Sequence, residues 1–379
     1  MFRIPALQLI LLFFLSIPLN GQIRSSCVYG RVTDSVTLKP VADVSVFVPF
    51  TSHGTITNAN GEFSLRQIPP GHIQLGFRHI AYVPRMSYFF FSGSDSMRCD
   101  LVMAGATIEI AEVVREAGKI DWEYGMILFR EIFLGDSYQT SCIIRNPGDL
   151  YFYFDGDVIY GQSRNPLKIT NNYLGYDITY YLDYFKFDKN RNQPAALGQN
   201  EFFAFGGLAF YTDKNAGDKV KKTKWIRNRV TEFQGSLRDF LQDFFHDAFW
   251  DRKYCLRKVD ENGPDSIFYW DAGQAKGRYL RYDRMTEFPA DKSVLTRGPA
   301  DNLMTLSLPG PMLVFFDFLD TPDISDDRVS LLELNQGDLV FDRNGNLVAN
   351  GSGLNWIDLD NQKRLKNTLP LDYEPNLNK

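Results

Sequence analysis

Apolar and polar residues alternate in short runs through the first hundred positions. Val28-Tyr29-Gly30-Arg31-Val32 and Val44-Ser45-Val46-Phe47-Val48 alternate cleanly. Gly61-Glu62-Phe63-Ser64-Leu65 puts Phe63 and Leu65 on one face, and Ile73, Leu75 and Phe77 repeat the pattern. Tyr88–Phe91 and Cys99–Met103 complete the set. A period of two bounded by Gly, Pro and Asn predicts short strands, and several such runs at close spacing predict an all-β sandwich over 27–105.

The pattern changes beyond a connecting segment, 106–120. Trp122, Met126, Phe129 and Phe133 recur at helical spacing, which predicts a helix near 122–134 that stops at Gly135. Aromatic strands follow. "DLYFYFDGDVIYG" predicts a hairpin at Asp155-Gly156. Residues 173–188 predict one long strand, with Tyr176, Ile178, Tyr180, Leu182, Tyr184 and Lys186 on one face and Asp177, Thr179, Tyr181 and Asp183 on the other. Leu237, Phe240, Leu241, Phe244, Phe245 and Ala248 predict a second helix within 236–249, capped by Ser236 and packed on a sheet. The reading is mainly β, with a sandwich followed by a larger β-rich α+β region over 121–379.

Composition agrees with this. Phe and Tyr number 31 and 19, aromatics reach 15%, and hydrophobic residues make up 44%. Aromatic side chains suit pleated, half-buried surfaces. The net charge of −5 argues against a nucleic-acid partner.

The N-terminus reads as an export signal over 1–22. Arg3 is followed by a largely apolar run from Ala6 to Ile17, which Pro18 to Gln22 breaks. That run is short for a bilayer span, and no later stretch reaches such a length. The expected location is therefore the periplasm or the outer membrane. A lipid anchor on Cys27 is the alternative, although Asn20–Ser26 intervenes. Cys27, Cys99, Cys142 and Cys255 allow three disulfide pairings, and the sequence does not choose among them.

The segment "GTITNANGEFSLRQIPPG", 54–71, tests for chemistry in the first domain. Asn58 and Asn60 are neutral and Glu62 is the lone nearby acid, a poor donor set for Ca²⁺. Asn60-Gly61 instead suits a hairpin turn, because Asn and Gly tolerate positive φ. "GRVTDSVTLKPVADVSVFVP" followed by "GTITNANGEFSLRQIPPGHIQLGFRHIAY" resembles the carboxypeptidase-regulatory-like domain. Gly30, Val32, Asp34, Val44, Val46, Gly54, Thr57, Asn58, Gly61, Phe63, Pro70 and Gly71 carry the resemblance. It implies a seven-stranded Ig-like or transthyretin-like sandwich with no active site of its own. The downstream half resembles, more loosely, that of exported Bacteroidota proteins carrying the same domain. Within that resemblance, Cys27 with Cys99 and Cys142 with Cys255 are the candidate pairs, and small buried thiols are the alternative.

Catalytic signatures are sparse. His53, His72, His79 and His246 are the four histidines, and none has Glu three residues on or forms His-x-x-x-His. H-E-x-x-H and G-x-S-x-G are absent. The acidic stretch Asp317, Asp320, Asp323, Asp326 and Asp327 is spaced irregularly and reads as a polar loop. No catalytic, cofactor or metal residue is assigned.

One run is chemically distinct. "KVKKTKWIRNR", 219–229, holds six cations and no acid, and reads as a solvated approach to the second helix or as a contact for an anionic face. Lys221, Lys222, Trp225 and Arg227 are the candidate interaction surface, with the aromatic strand faces beside them. The expected function is a non-enzymatic cell-envelope binding or interaction protein, its partner an envelope protein or glycan. The alternatives are an accessory component of a peptidase or carbohydrate-processing system, with acids such as Asp155 and Asp157 converging on distant ones, and a purely structural spacer.

Overall fold

The computed structural model describes residues 27–68, 71–93, 96–106, 118–119, 121–135, 141–188, 202–214, 217–246, 254–271, 276–283, 295–297, 303–316, 328–334, 338–347, 354–358 and 365–375. The signal segment 1–22 and the acidic stretch 317–327 lie outside the described residues.

The first domain is the expected sandwich. Its strands are β1 (Cys27–Asp34), β2 (Ser45–Phe47), β3 (Gly54–Ile56), β4 (Glu62–Arg66), β5 (Gly71–Arg78), β6 (Arg85–Phe91), β7 (Met97–Arg98) and β8 (Leu101–Met103). One sheet runs β4-β1-β7 with β8 also on β1, and the other runs β3-β2-β5-β6. β7 and β8 follow β1 in one parallel register, Val28 opposite Met97 and Val32 opposite Leu101. They are one path broken at Cys99-Asp100, so eight short strands trace seven. Gly30 makes the break possible, since a Cβ there would meet the Cys99 carbonyl oxygen at 1.9 Å. Val28, Val32, Val46, Phe63, Leu75 and Phe77 fill the space between the sheets. Each such side chain contributes about 1.5–3 kcal/mol on burial.

The Asn58–Glu62 turn forms, although it joins no hairpin. Asn58 Oδ1 accepts from the amides of Asn60 and Glu62, both at 2.9 Å, and Gly61 sits at φ +72°. β3 pairs with β2 and β4 pairs with β1, so the turn carries the chain from one sheet to the other.

The second unit is a seven-stranded sheet. It contains β9 (Gly118–Lys119), β10 (Cys142–Ile144), β11 (Leu150–Asp155), β12 (Val158–Ser163), β13 (Leu167–Asn171), β14 (Tyr176–Asp188) and β15 (Phe202–Asp213). The order is β10-β13-β14-β12-β11-β9, with β15 on the other edge of β14. β9 lies in the segment expected to be a linker, and it joins the sheet because its backbone pairs with Tyr153 and Phe154. Helix α1 (Trp122–Phe129) continues as a π turn over Arg130–Leu134 and ends at Gly135 in the left-handed region. Met126, Phe129 and Phe133 are buried against Phe152, Tyr180 and Phe185, while Trp122 stays at the margin and donates to the Leu150 carbonyl.

The expected face of β14 holds only for its first half. Tyr176, Ile178 and Tyr180 are buried. A bulge between Leu182 and Tyr184 then shifts the alternation by one residue. Phe185 and Phe187 enter the core instead, and Tyr184 and Lys186 turn to the outer face.

The third unit follows helices α2 (Lys219–Phe233) and α3 (Leu237–Phe245). Its strands are β16 (Tyr254–Lys258), β17 (Asp265–Asp271), β18 (Lys276–Tyr282), β19 (Leu295–Arg297), β20 (Leu303–Leu306), β21 (Met312–Phe316), β22 (Arg328–Leu334), β23 (Leu339–Asp342) and β24 (Leu354–Asp358). They form sheets β16-β21-β22-β24, β17-β18 and β19-β20-β23. The Ser236 hydroxyl caps α3 at the Asp239 amide. Phe240, Leu241 and Phe244 pack on Tyr254, Val314 and Phe341, as the apolar stripe predicts.

No disulfide joins any two of the four cysteines, which corrects both candidate pairs. The Cys27 thiol lies 3.3 Å from Ser96 Oγ and the Cys99 thiol 3.7 Å from Ser87 Oγ. Cys142 and Cys255 are buried in separate cores.

Candidate interaction surface

The cationic run is a helix rather than an approach to one. α2 starts where the Asp218 carboxylate accepts from the Val220 amide. Trp225, Arg229 and Phe233, four residues apart, form its buried stripe. Trp225 therefore leaves the candidate surface. It is 9% exposed, its Nε1 donates to the Asn172 carbonyl at 2.9 Å, and its indole fills the space over Gly175. Gly175 sits at φ +74°, and a Cβ there would reach the indole at 2.2 Å.

Arg229 also leaves the run of free cations. Its Nε donates to the Leu174 carbonyl at 2.6 Å and its Nη2 to the Gly175 carbonyl at 3.0 Å. The same guanidinium holds both oxygens of Asp213, at 2.8 and 3.1 Å, and lies 3.9 Å from the Tyr176 ring centre. It anchors the helix to the end of the seven-stranded sheet. Burial, the largest effect, pushes the Tyr176 phenol up despite this neighbouring charge.

Lys221, Lys222 and Arg227 are exposed, as are Lys219 and Lys224. Residues 219–224 are exposed on every side of the helix, so the first turns project beyond the body of the protein. Val220 is 77% exposed among them. Among the described residues no ion pair engages these five cations. Lys219, Lys221 and Lys222 also sit in the first turn, at the positive end of the helix dipole, where Lys and Arg are disfavoured. The sequence carried the signal for the correction: three large residues four apart mark a buried face even where lysines dominate the count.

The outer face of the seven-stranded sheet carries a row of phenols. Tyr153 and Tyr160 stack at 5.4 Å, and Lys186 Nζ lies 5.5 Å from the Tyr160 ring centre and 5.8 Å from that of Tyr184. Tyr151 donates to Gln162 Oε1, and Gln162 Nε2 reaches Tyr153. The Tyr153 and Tyr160 rings thus face one another, while Arg164 lies over Tyr151 and Lys186 over Tyr160 and Tyr184. Beyond the bulge the same face receives the first domain: Phe47 stacks on Tyr181, and Arg78 faces Asp183 at 3.6 Å.

Two arrangements bear on catalysis. Asp155 and Asp157 flank Gly156 at the exposed tip of the β11–β12 hairpin. Ser52, His53 and Asp372 converge, but the carboxylate contacts both partners. It accepts from the Ser52 hydroxyl and amide and lies 3.4 Å from His53 Nε2. A nucleophilic triad needs the imidazole between hydroxyl and acid. This arrangement instead fastens the C-terminal segment to the first domain.

Residues 28–114 match the family model of the CarboxypepD_reg-like domain. The N-terminal sandwich is a domain of that family. The match ends before the seven-stranded sheet. Comparison with curated proteins gives no match. Among solved structures, a type II cohesin–X-dockerin complex from Acetivibrio cellulolyticus is 15% identical over 21% of this chain and 57% of that chain, with a TM-score of 0.19. The chain thus spans little more than half the length of that neighbour. A protein from Bacteroides uniformis, provisionally described as carbohydrate binding, is 9% identical over 50% of this chain and 79% of that one, at 0.19. A Bacteroides fragilis protein of unknown function, provisionally described as membrane-associated, is 10% identical over 88% and 95%, at 0.18. Such TM-scores lie far below those of chains sharing a fold, and none of the three bears on function.

Proposed function

We propose that this is a non-enzymatic interaction protein of the cell envelope, exported to the periplasm or outer membrane and carrying the CarboxypepD_reg-like domain as a structural module. The observation that supports this reading is the projecting start of α2. Its four exposed lysines, with Arg227 just beyond, have no acidic partner among the described residues, and Trp225 and Arg229 fix the helix to the sheet. Placing like charges together at the unfavourable end of a helix costs stability. Sites that break a local rule in this way are where function is expected. The test is crosslinking in native cells with wild type and with K221E/K222E/R227E. The wild type is expected to give a reproducible envelope contact through α2 that the charge-reversed variant loses. Identical crosslinks from both proteins would remove the support for this surface.

A further inference from the structure

We infer that the projecting half of α2 docks on an anionic bilayer surface, taking the phosphate-bearing headgroups of its lipids; this rests on the reading of α2 as an interaction surface. The buried stripe of Trp225, Arg229 and Phe233 fixes the rotation of the helix. At 100° per residue, Val220, Thr223, Lys224 and Arg227 then lie on the side facing away from the protein. Lys219 and Lys221 flank them. Charge complementarity selects an anionic partner, since the surface is cationic and the nearest acid, Asp218, has its carboxylate on the Val220 amide.

The apolar residue selects the kind of anion. Val220 is 77% exposed at the centre of the outward side. A soluble polyanion offers a valine nothing but water. A headgroup layer offers the acyl boundary a few ångströms beneath the phosphates, and lysine stems extend along apolar surface while their ammonium groups stay at the headgroups. Trp225 takes no part, since it is buried under the helix. Among the described residues no helix is long and apolar enough to cross a membrane, so the contact proposed is peripheral.

The experiment is co-sedimentation of the full chain with phosphatidylcholine vesicles, with and without phosphatidylglycerol. Binding is expected only with phosphatidylglycerol. It should weaken steeply as salt is raised from about 0.1 M to about 1 M, where the screening length falls from roughly 10 Å to roughly 3 Å. Each cation near such a surface strengthens binding about fivefold, so K221E/K224E/R227E is expected to lower partitioning by about a hundredfold or more. Val220→Ser should weaken it with every charge unchanged, while soluble polyphosphate competes poorly. All four positions are exposed, so an unchanged melting curve confirms that the variants fold.

Equal pelleting by neutral vesicles, unchanged binding of the triple variant, or full competition by polyphosphate would overturn the inference. Absence of vesicle binding alongside charge-dependent crosslinks to an envelope protein would sink the bilayer and leave the interaction reading standing. Loss of both would sink the two together.

Discussion

The rings of Phe47 and Tyr181 lie parallel, with centroids 5.1 Å apart and planes within 6°. Phe47 belongs to the first domain and Tyr181 to β14 of the second, so the stacked pair, beside the Arg78–Asp183 ion pair, is part of the contact between them. The backbone extends it: the Phe50 amide donates to the Ala209 carbonyl at 2.7 Å, and the Tyr211 amide to the Thr51 carbonyl at 3.0 Å. The loop after β2 thereby covers part of the open edge of β15, as an added strand would. A double-mutant cycle on Phe47→Leu and Tyr181→Leu is expected to give a coupling of about 0.5–1.5 kcal/mol in chemical denaturation. Strict additivity would mean that the stacked pair adds nothing to the contact, leaving it to the backbone bonds and the Arg78–Asp183 ion pair.

Arg229 and Lys221 lie two turns apart on one helix and are expected to behave oppositely. Arg229 satisfies the Leu174 and Gly175 carbonyls and packs on Tyr176. Arg229→Ala should cost roughly 2–4 kcal/mol, and Arg229→Lys should recover less than half, because an ammonium cannot reach two carbonyls and a carboxylate in one plane. Lys221→Ala should change stability by no more than about 0.5 kcal/mol. Urea midpoints of the three variants check the contrast; a silent Arg229→Ala would contradict the anchoring role.

What was legible in the sequence was local. The Asn58–Gly61 turn, the Ser236 cap and the Met126-Phe129-Phe133 stripe each follow from residues within a few positions of one another. The partners of the turn's flanking strands were not legible, because Gly54–Ile56 pairs back onto Ser45–Phe47 while Glu62–Arg66 pairs with Cys27–Arg31, more than thirty residues upstream. The bulge in β14 defeated a strict period of two. Its trace in the sequence is the pair Gly206-Gly207 in β15, opposite the irregularity. A Cβ at Gly206 would meet the Tyr184 ring at 2.5 Å, and one at Gly207 the Tyr181 carbonyl at 2.2 Å. Two adjacent glycines inside an aromatic strand thus mark the close approach of a bulged neighbour. In α2 the lysines obscured the stripe, since charge was read along the chain and burial runs around the helix.

The C-terminal segment is expected to act as a strap. Leu365 enters the second core, and Asn367 donates to Glu232 on α2. Leu371 donates its amide to the Phe50 carbonyl, and Asp372 holds Ser52. Tyr373 packs edge-on against Phe233. Asp372→Ala leaves the Ser52 amide and hydroxyl without their acceptor, at a cost of about 1–2 kcal/mol. Because the lost bonds are confined to the loop after β2, hydrogen exchange should rise at Ser52 and His53 before it rises in the sandwich core. Uniform acceleration across the domain would show that the strap supports global stability and does not merely hold one loop.

Alkaline pH should unfold the protein through its buried phenols. Tyr211 is enclosed, and its hydroxyl lies 2.9 Å from Thr368 Oγ1. Burial pushes its pKa from an ordinary 10.0 up to about 12, with the Thr368 hydrogen bond working in the opposite direction. Burial raises Tyr180 and Tyr254 as well, and Asp239, which accepts the Tyr254 hydroxyl at 2.7 Å, adds to that rise. For each phenol the folded form keeps its proton where the unfolded form has released it. Stability is therefore unaffected below about pH 10 and falls as pH climbs toward 12, by up to about 1.4 kcal/mol per pH unit for each phenol. Tyr211→Phe removes one such group. It should cost about 1 kcal/mol at neutral pH through the lost Thr368 bond, yet make the alkaline decline shallower. Denaturation midpoints across the alkaline range, read together with tyrosinate absorbance, check both signs. An equal alkaline slope in wild type and Tyr211→Phe would show that Tyr211 ionises without opening the core.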